Sequence, residues 1–344
     1  MRRANIPVFV PHRGCPCQCV FCDQRQIAGE SDMTPDRARA QIESCLATLR
    51  PDVRAEIAFF GGSFTGIARA EMIAYLDAAQ SYVDGTRVDG IRLSTRPDYI
   101  TPEILQILSR YAVRHIELGI QSLDDRVLAA SGRGHTAQQS LSACRAVRDA
   151  GSSLVGQMMI GLPASTLTAE LETARGIAAA GATAARVYPT AVLRGTRLAE
   201  MTEAGSYVPL TCGEAVERTA AVLEQLDADG VDVLRVGLCE TEQLRRDAVL
   251  YGGYHAAMGE LARSEVFYRR QRRAFLAMGA ELHHSGAEVF CPRGKASQVA
   301  GQHGRNRARL MAEFDVKWIK ITEIDALTGY GIACERRETE KNRA

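Results

Sequence analysis

No apolar run in this 344-residue sequence approaches the roughly 18 residues that a membrane-spanning helix requires, which excludes helical membrane proteins. The opening residues Met1-Arg2-Arg3-Ala4-Asn5 lead into a strand-like stretch and not into the apolar core of a signal peptide, so the cytoplasm is the expected compartment. Tandem repeats, low-complexity tracts and long Gly/Ser linkers are missing, and solenoid or disordered architectures go with them. Charge of either sign is not in excess: the net value is +1, and the overall balance points to no partner. Lysine is scarce, confined to Lys295, Lys317, Lys320 and Lys341 in the last fifth of the chain. What is present is ordinary for a globular protein, 46% hydrophobic and 24% charged residues, enough to build a core. Against a usual domain size of about 150 residues, the length leaves room for one large α/β unit and a smaller companion.

Charge resolved by position is uneven. Between Arg263 and Arg309 there are ten Arg or Lys residues against only Glu265, Glu281 and Glu288, while the rest of the chain is slightly acidic. Composition and charge therefore shift together near residue 280. The expected division is residues 1–245 as one large domain, 246–280 as a helical connector and 281–344 as a small basic domain.

Six of the ten cysteines (Cys45, Cys144, Cys212, Cys239, Cys291 and Cys334) are scattered singly, which is no disulfide framework. The other four, Cys15, Cys17, Cys19 and Cys22, fall within eight residues. A zinc knuckle needs four ligands, usually as two separated pairs, and no second pair follows. Read as C-x3-C-x2-C, the cluster supplies Cys15, Cys19 and Cys22, with Cys17 out of phase. Three thiolates can hold three irons of a 4Fe–4S cluster and leave the fourth iron open to a small chelating ligand. This spacing resembles the radical S-adenosylmethionine (SAM) superfamily. The resemblance implies that the methionine amino and carboxylate groups chelate the open iron, and that one electron from the cluster cleaves SAM to a 5′-deoxyadenosyl radical.

Strand-like runs recur at Ile6–Val10, Glu56–Phe60, Gly90–Ser94, His115–Ile120, Leu154–Ile160 and Ala185–Tyr188, with amphipathic segments between them. That alternation argues for parallel βαβ units. Thr34-Pro35 and Thr101-Pro102 each set an N-cap residue before a proline at the first helical position. Six such units make a partial (β/α)6 TIM-like barrel, in which reactive groups belong at the C-terminal strand ends. Gly61-Gly62-Ser63, Ser94-Thr95-Arg96-Pro97-Asp98, Gly119-Ile120-Gln121-Ser122, Gly161-Leu162-Pro163 and Tyr188-Pro189-Thr190 all fall there. Small residues at such places let backbone groups approach a ligand, although Gly61-Gly62 alone could also be a tight turn.

Phe59-Phe60-Gly61-Gly62-Ser63-Phe64-Thr65, Ser94–Tyr99, Glu117–Ser122, Arg133-Gly134-His135-Thr136 and Arg194-Gly195-Thr196 are similar to motifs of the Elongator catalytic subunit and its bacterial relatives. The likeness spans about residues 5 to 240. It implies that Gly61, Gly62 and Ser63 meet the SAM amino group, and that Ser94, Arg96 and Gln121 contact its carboxylate and ribose. His135 reads either as substrate-facing or as structural. The acetyltransferase domain that follows the radical domain in that subunit does not fit in a chain of this length, a departure that leaves the acetyl-transfer half of its reaction in doubt here.

After Ala287 the pattern is strand, helix, Gly301-Gln302-His303-Gly304, helix, strand. A GxxG loop between two helices resembles the KH module, an α+β fold whose loop clamps a single-stranded nucleic-acid backbone. Lys295, Arg305, Arg307 and Arg309, with Arg293, surround the loop, and RNA is the complement expected for Gly301, Gln302, His303, Gly304 and these cations. An ordinary turn on a solvated basic face is the plainer reading. Arg269-Arg270-Gln271-Arg272-Arg273 either extends the basic track or is an exposed helix face.

The function expected is that of a radical SAM enzyme acting on RNA, with tRNA as substrate and a flavodoxin or ferredoxin as electron donor. One alternative is a radical SAM enzyme on a small molecule, of the oxygen-independent coproporphyrinogen oxidase kind. Another is an RNA-binding protein with a structural or redox-sensing cluster.

Overall fold

A computed structural model describes residues 2–10, 14–15, 19–23, 33–238 and 248–338, so Cys17 and Cys239 lie outside the described residues. Six strands, β1 (Arg2–Val10), β2 (Val53–Gly61), β3 (Val88–Thr95), β4 (Val113–Gln121), β5 (Ser153–Ile160) and β6 (Ala184–Pro189), enclose the six apolar runs. They pair in chain order, every pair parallel. The crossovers carry helices α1 (Pro35–Thr48), α2 (Arg69–Gln80), α3 (Pro102–Leu108), α4 (Asp125–Ala130), α5 (Ala137–Asp149) and α6 (Leu167–Ala179). The cap signals act as expected: Thr34 accepts from the Arg37 amide and Thr101 from the Ile104 amide, both at 3.2 Å.

The result is a curled partial barrel. Beyond β6 come β7 (Ala191–Leu193), α7 (Arg197–Glu203), α8 (Cys212–Ala228), β8 (Asp232–Val236) and β9 (Val249–Gly252). β8 joins β6 in parallel as a seventh strand, while β7 and β9 pair antiparallel outside the sheet. The alternating pattern did not reveal β8 because it is a short edge strand with Leu234 exposed and no fully buried residue.

Strand alternation sorts the side chains by face. Ile57, Phe59, Ile91, Leu93, Ile116 and Leu118 are buried in the main core beneath the helices. Their neighbours Glu56, Phe60, Arg92, Ser94, His115 and Glu117 point to the concave side. A parallel sheet covered on both faces has near-continuous apolar strands. Here the inner face is charged, which suits a polar occupant.

The long helix α9 (Met258–Met278) joins two cores, giving Ala262 and Val266 to the barrel core and Phe267, Tyr268 and Phe275 to a second. That second core belongs to a small domain of β10 (Gly286–Pro292), α10 (Ala296–Ala300), α11 (Arg305–Phe314), β11 (Trp318–Ile324) and β12 (Ala333–Arg337). Its sheet has the order β11-β10-β12, with β10 parallel to β11 and antiparallel to β12. The run Arg269–Arg273 is occupied by ion pairs: Arg270 meets Asp227 at 2.6 Å, Arg273 meets Glu224 at 2.5 Å and Arg272 meets Glu313 at 2.7 Å. It therefore fastens α9 to α8 and α11 and is not an open basic track. Among the described residues no helix is long and apolar enough to cross a membrane.

Candidate active site

The cysteine segment follows β1 at the C-terminal edge of the sheet. Cys15 is exposed, Cys22 half-buried and Cys19 buried at 5% exposure. The Cys22 amide donates to the Cys19 carbonyl at 3.0 Å, closing a turn between the last two thiols. Two backbone bonds hold this turn to the barrel, Val20 N–H to Ser131 O at 3.1 Å and Leu198 N–H to Val20 O at 2.8 Å. Val20 also packs with Val192, Leu198 and Tyr207. Gly14, at φ +77°, crosses the turn after β2 so closely that a Cβ would lie 2.5 Å from the Ser63 carbonyl oxygen and 2.6 Å from the Ile67 nitrogen. Only glycine permits that approach. The thiol segment and the Gly61-Gly62-Ser63 turn are thereby brought together, as the motif order implied.

The turn itself is tied back to β1, since the Gly62 amide donates to the Val10 carbonyl at 3.0 Å. Gly61 has φ +115°, and a Cβ there would meet Val10 O at 2.9 Å. Ser63 is buried and Gly62 half-buried. Beside them, the hydroxyls of Thr65 and Thr95 share a hydrogen bond of 2.7 Å that links the loops after β2 and β3.

The polar residues of the third and fourth strands differ in what they offer. Ser94 donates to Glu117 at 3.2 Å. Arg96, 3% exposed, makes a bidentate pair with Asp98 at 2.9 and 3.0 Å and donates to the Arg133 carbonyl. Its charge is thus balanced within its own loop. Gln121 is buried, holds φ +66°, and its Oε1 has no hydrogen-bond partner among the described residues. A buried acceptor left unmet costs about 1–3 kcal/mol, and a non-glycine residue at positive φ adds strain. Both costs fall on one residue at the mouth.

Arg133 is a site residue that sequence reasoning passed over. Its Nη1 donates to Cys19 Sγ at 3.3 Å, Nη2 to the Gly119 carbonyl, and Nε to His135 Nε2 at 3.3 Å. His135 is buried, with Nδ1 3.2 Å from the Ser140 hydroxyl. Burial, and then the neighbouring Arg133 charge, push its pKa down to about 4, so the ring is neutral at pH 7 and Nε2 can accept. His135 is structural in this sense. The signal was the Arg133-Gly134-His135-Thr136 motif, read for its histidine alone.

Deeper on the concave face, Glu117 is 1% exposed and accepts from Arg92 Nη1 at 2.9 Å and from Arg186 Nη2 at 3.1 Å, with Arg186 Nε 2.9 Å from its second oxygen as part of the ion pair. Arg92 also pairs with Glu56 at 3.1 Å, and His115 Nδ1 lies 2.7 Å from the same carboxylate. The Arg186 guanidinium stands 5.3 Å from the Phe60 ring centroid.

In the small domain, Gly301 and Gly304 take φ +77° and +73°, and His303 +52°. A Cβ on Gly301 would lie 2.8 Å from Asn306, whose amide is bound to Ser264 at 2.9 and 3.0 Å. Gln302, His303, Arg305 and Arg307 are exposed, and neither arginine has an ion pair among the described residues. Two other cations are engaged: Arg293 pairs with Asp325, and Arg309 pairs with Glu265 at 2.8 Å while lying over the Tyr268 ring. Lys295 is half-buried just before α10. The basic surface is therefore narrower than the local sequence implied.

The residues at the mouth fit an iron–sulfur cluster and SAM. Among the described residues, no three His, Cys, Asp or Glu side chains converge as ligands of one ion. A 4Fe–4S cluster does not need that convergence, because each thiolate binds a different iron. The orphaned Gln121 Oε1 lacks a donor, and a ribose hydroxyl or an ammonium would supply one.

Two family models match the chain, the radical SAM superfamily over residues 9–175 and the Radical_SAM C-terminal domain over residues 182–267. Elongator complex protein 3 of Saccharomyces cerevisiae is 27% identical over 216 residues, covering 55% of this chain and 37% of its own. A tRNA uridine(34) acetyltransferase of Methanocaldococcus infernus is 25% identical over 205 residues, covering 53% of this chain and 38% of its own. The chain thus spans less than two fifths of either relative. An archaeal Elp3 from M. infernus with an N-terminal deletion superposes at a TM-score of 0.62 and 20% identity, over 79% of this chain and 63% of that one, a likeness of fold. With both domains matched in this order, the chain belongs to the radical SAM superfamily, whose cofactors are a 4Fe–4S cluster and S-adenosylmethionine.

Proposed function

We propose that this radical SAM enzyme modifies a nucleoside of RNA, with tRNA as the substrate class, and that residues 281–344 recruit it. The observation that carries this reading is the Gly301–Gly304 loop between two helices, with Gln302 and His303 exposed at its tip and Arg305 and Arg307 beside it, in a domain whose core is built on α9. Gly301 lets the loop pack against Asn306, Gly304 at positive φ leaves its backbone open to a ligand, and two cations with no carboxylate partner among the described residues suit phosphates. The similarity to a tRNA uridine(34) acetyltransferase supports the same substrate class.

Cys15, Cys19 and Cys22 would hold the cluster, with Gly61, Gly62 and Ser63 around the methionine amino group and Ser94 and Gln121 toward its carboxylate and ribose. Arg96, neutralised by Asp98, would shape that pocket through its loop more than through its charge. The bound cofactors supply radical chemistry started by one electron, for which a flavodoxin or ferredoxin is the proposed donor. The protein's part is orientation and exclusion of water.

The deciding experiment is tRNA binding by the double variant Gln302→Asp with His303→Asp. Both side chains are exposed, so the turn tolerates the change while its new charges repel phosphate. The expected result is loss of tRNA affinity with SAM binding intact. Removing Arg305 and Arg307 should flatten the dependence of log affinity on log salt by about 0.7 for each phosphate no longer neutralised. Wild-type affinity of the acidic variant at physiological salt would sink the reading.

The SAM pocket has its own test. Gly61 is constrained by its backbone, so Gly62 is the better probe. Gly62→Val should abolish SAM binding while iron content stays at the wild-type level. Undiminished SAM binding would remove Gly62 from the pocket.

A further inference from the structure

We propose that Arg133 tunes the reduction potential of the iron–sulfur cluster through an N–H···S hydrogen bond to Cys19, and that His135 is the positioning residue that keeps Arg133 there. This rests on the reading of Cys19 as a cluster ligand. The guanidinium is pinned in three directions: Nη1 reaches Cys19 Sγ at 3.3 Å, Nη2 the Gly119 carbonyl, and Nε the Nε2 of His135 at 3.3 Å. Arg133 and Cys19 are each 5% exposed, so water screens their interaction little. Gly132 and Gly134, at φ +66° and +74°, turn the chain on both sides of Arg133. The Arg133 carbonyl accepts from Arg96, itself clamped by Asp98. His135 has its Nδ1 at 3.2 Å from the Ser140 hydroxyl and 3.4 Å from the Thr136 carbonyl, which calls for the proton on Nδ1 and leaves Nε2 as the acceptor that Arg133 needs.

The electronic consequence follows from charge. An oxidised cluster with core charge +2 and three thiolates carries −1, and one electron takes it to −2. A buried cation donating to one thiolate stabilises the more negative state and raises the potential. Arginine suits the task better than lysine, because its planar fork presents three separate nitrogens in fixed directions to a sulfur, a carbonyl and a ring nitrogen, whereas lysine's three donors share one nitrogen.

The test is the midpoint potential of the anaerobically reconstituted protein without SAM, followed by EPR during redox titration. Arg133→Gln should shift the midpoint to a more negative value with iron content unchanged, and His135→Ala should shift it the same way by less. Arg133→Lys keeps the charge without the fork and should fall between Arg133→Gln and wild type. If Arg133→Gln does not retain iron, the lysine variant and His135→Ala decide. Midpoints equal to wild type in every iron-loaded variant would overturn the proposal, even if those variants melt at lower temperature. Failure of the wild type to assemble a cluster would instead overturn the cluster reading beneath it.

Discussion

Cys19→Ala protein, reconstituted with iron and sulfide in the absence of oxygen, should hold little iron, while Cys17→Ala should retain about four irons per chain. The spacing decides which thiols matter, since only Cys15, Cys19 and Cys22 fall into the C-x3-C-x2-C register. Geometry adds a reason for the size of the Cys19 effect. It is the buried thiol of the three, in a turn closed by the Cys22 amide and faced by Arg133. Replacing Cys19 removes one of the three proposed ligands and leaves a buried guanidinium without its sulfur. Cys15→Ala and Cys22→Ala should behave like Cys19→Ala. Iron that survives Cys19→Ala and disappears in Cys17→Ala would show that the register is wrong.

Glu117→Ala should cost the barrel about 3–5 kcal/mol, the usual effect of removing one partner from a buried charge network. Two arginines depend on this carboxylate: Arg92 at 2.9 Å and Arg186 at 2.9 Å, with the Ser94 hydroxyl at 3.2 Å as a third donor. Without it Arg92 is left with Glu56, which His115 also engages, and Arg186 is left with Tyr188. Burial alone would lower the pKa of Arg186, yet Glu117 and then Tyr188 hold it above the ordinary value. The guanidinium therefore stays charged and cannot escape the penalty by losing a proton. Glu117→Gln keeps an acceptor and should lose less. Urea unfolding followed by far-UV circular dichroism checks both. A Glu117→Ala midpoint indistinguishable from wild type would mean that the network contributes nothing to stability.

Much of the architecture was legible because it is local. The alternation of apolar runs with amphipathic segments marked β1 to β6, since a strand covered by helices must be apolar on that face. Thr34-Pro35 and Thr101-Pro102 marked helix starts because a capping hydroxyl and a fixed φ act within one turn. The helix–GxxG–helix pattern was equally local, its loop requiring two glycines at positive φ. The C-x3-C-x2-C spacing is likewise read within eight residues, and the Cys17 and Cys19 variants test its register.

Side-chain partnership required the tertiary structure. The cations around Gly301–Gly304 looked alike in sequence, with no acidic residue between them. The fold separates them by bringing Asp325 to Arg293 and Glu265 to Arg309 while leaving Arg305 and Arg307 exposed. The run Arg269–Arg273 is taken up in the same way by Glu224, Asp227 and Glu313. Arg133 and Cys19 are 114 positions apart, so no spacing rule could join them. Backbone conformation and capping depend on neighbours a few residues away, which is why the sequence by itself determined the elements and the thiol spacing. Coulomb and hydrogen-bond energies depend on distance in space and on burial, and only the folded barrel and its docked small domain decide either one.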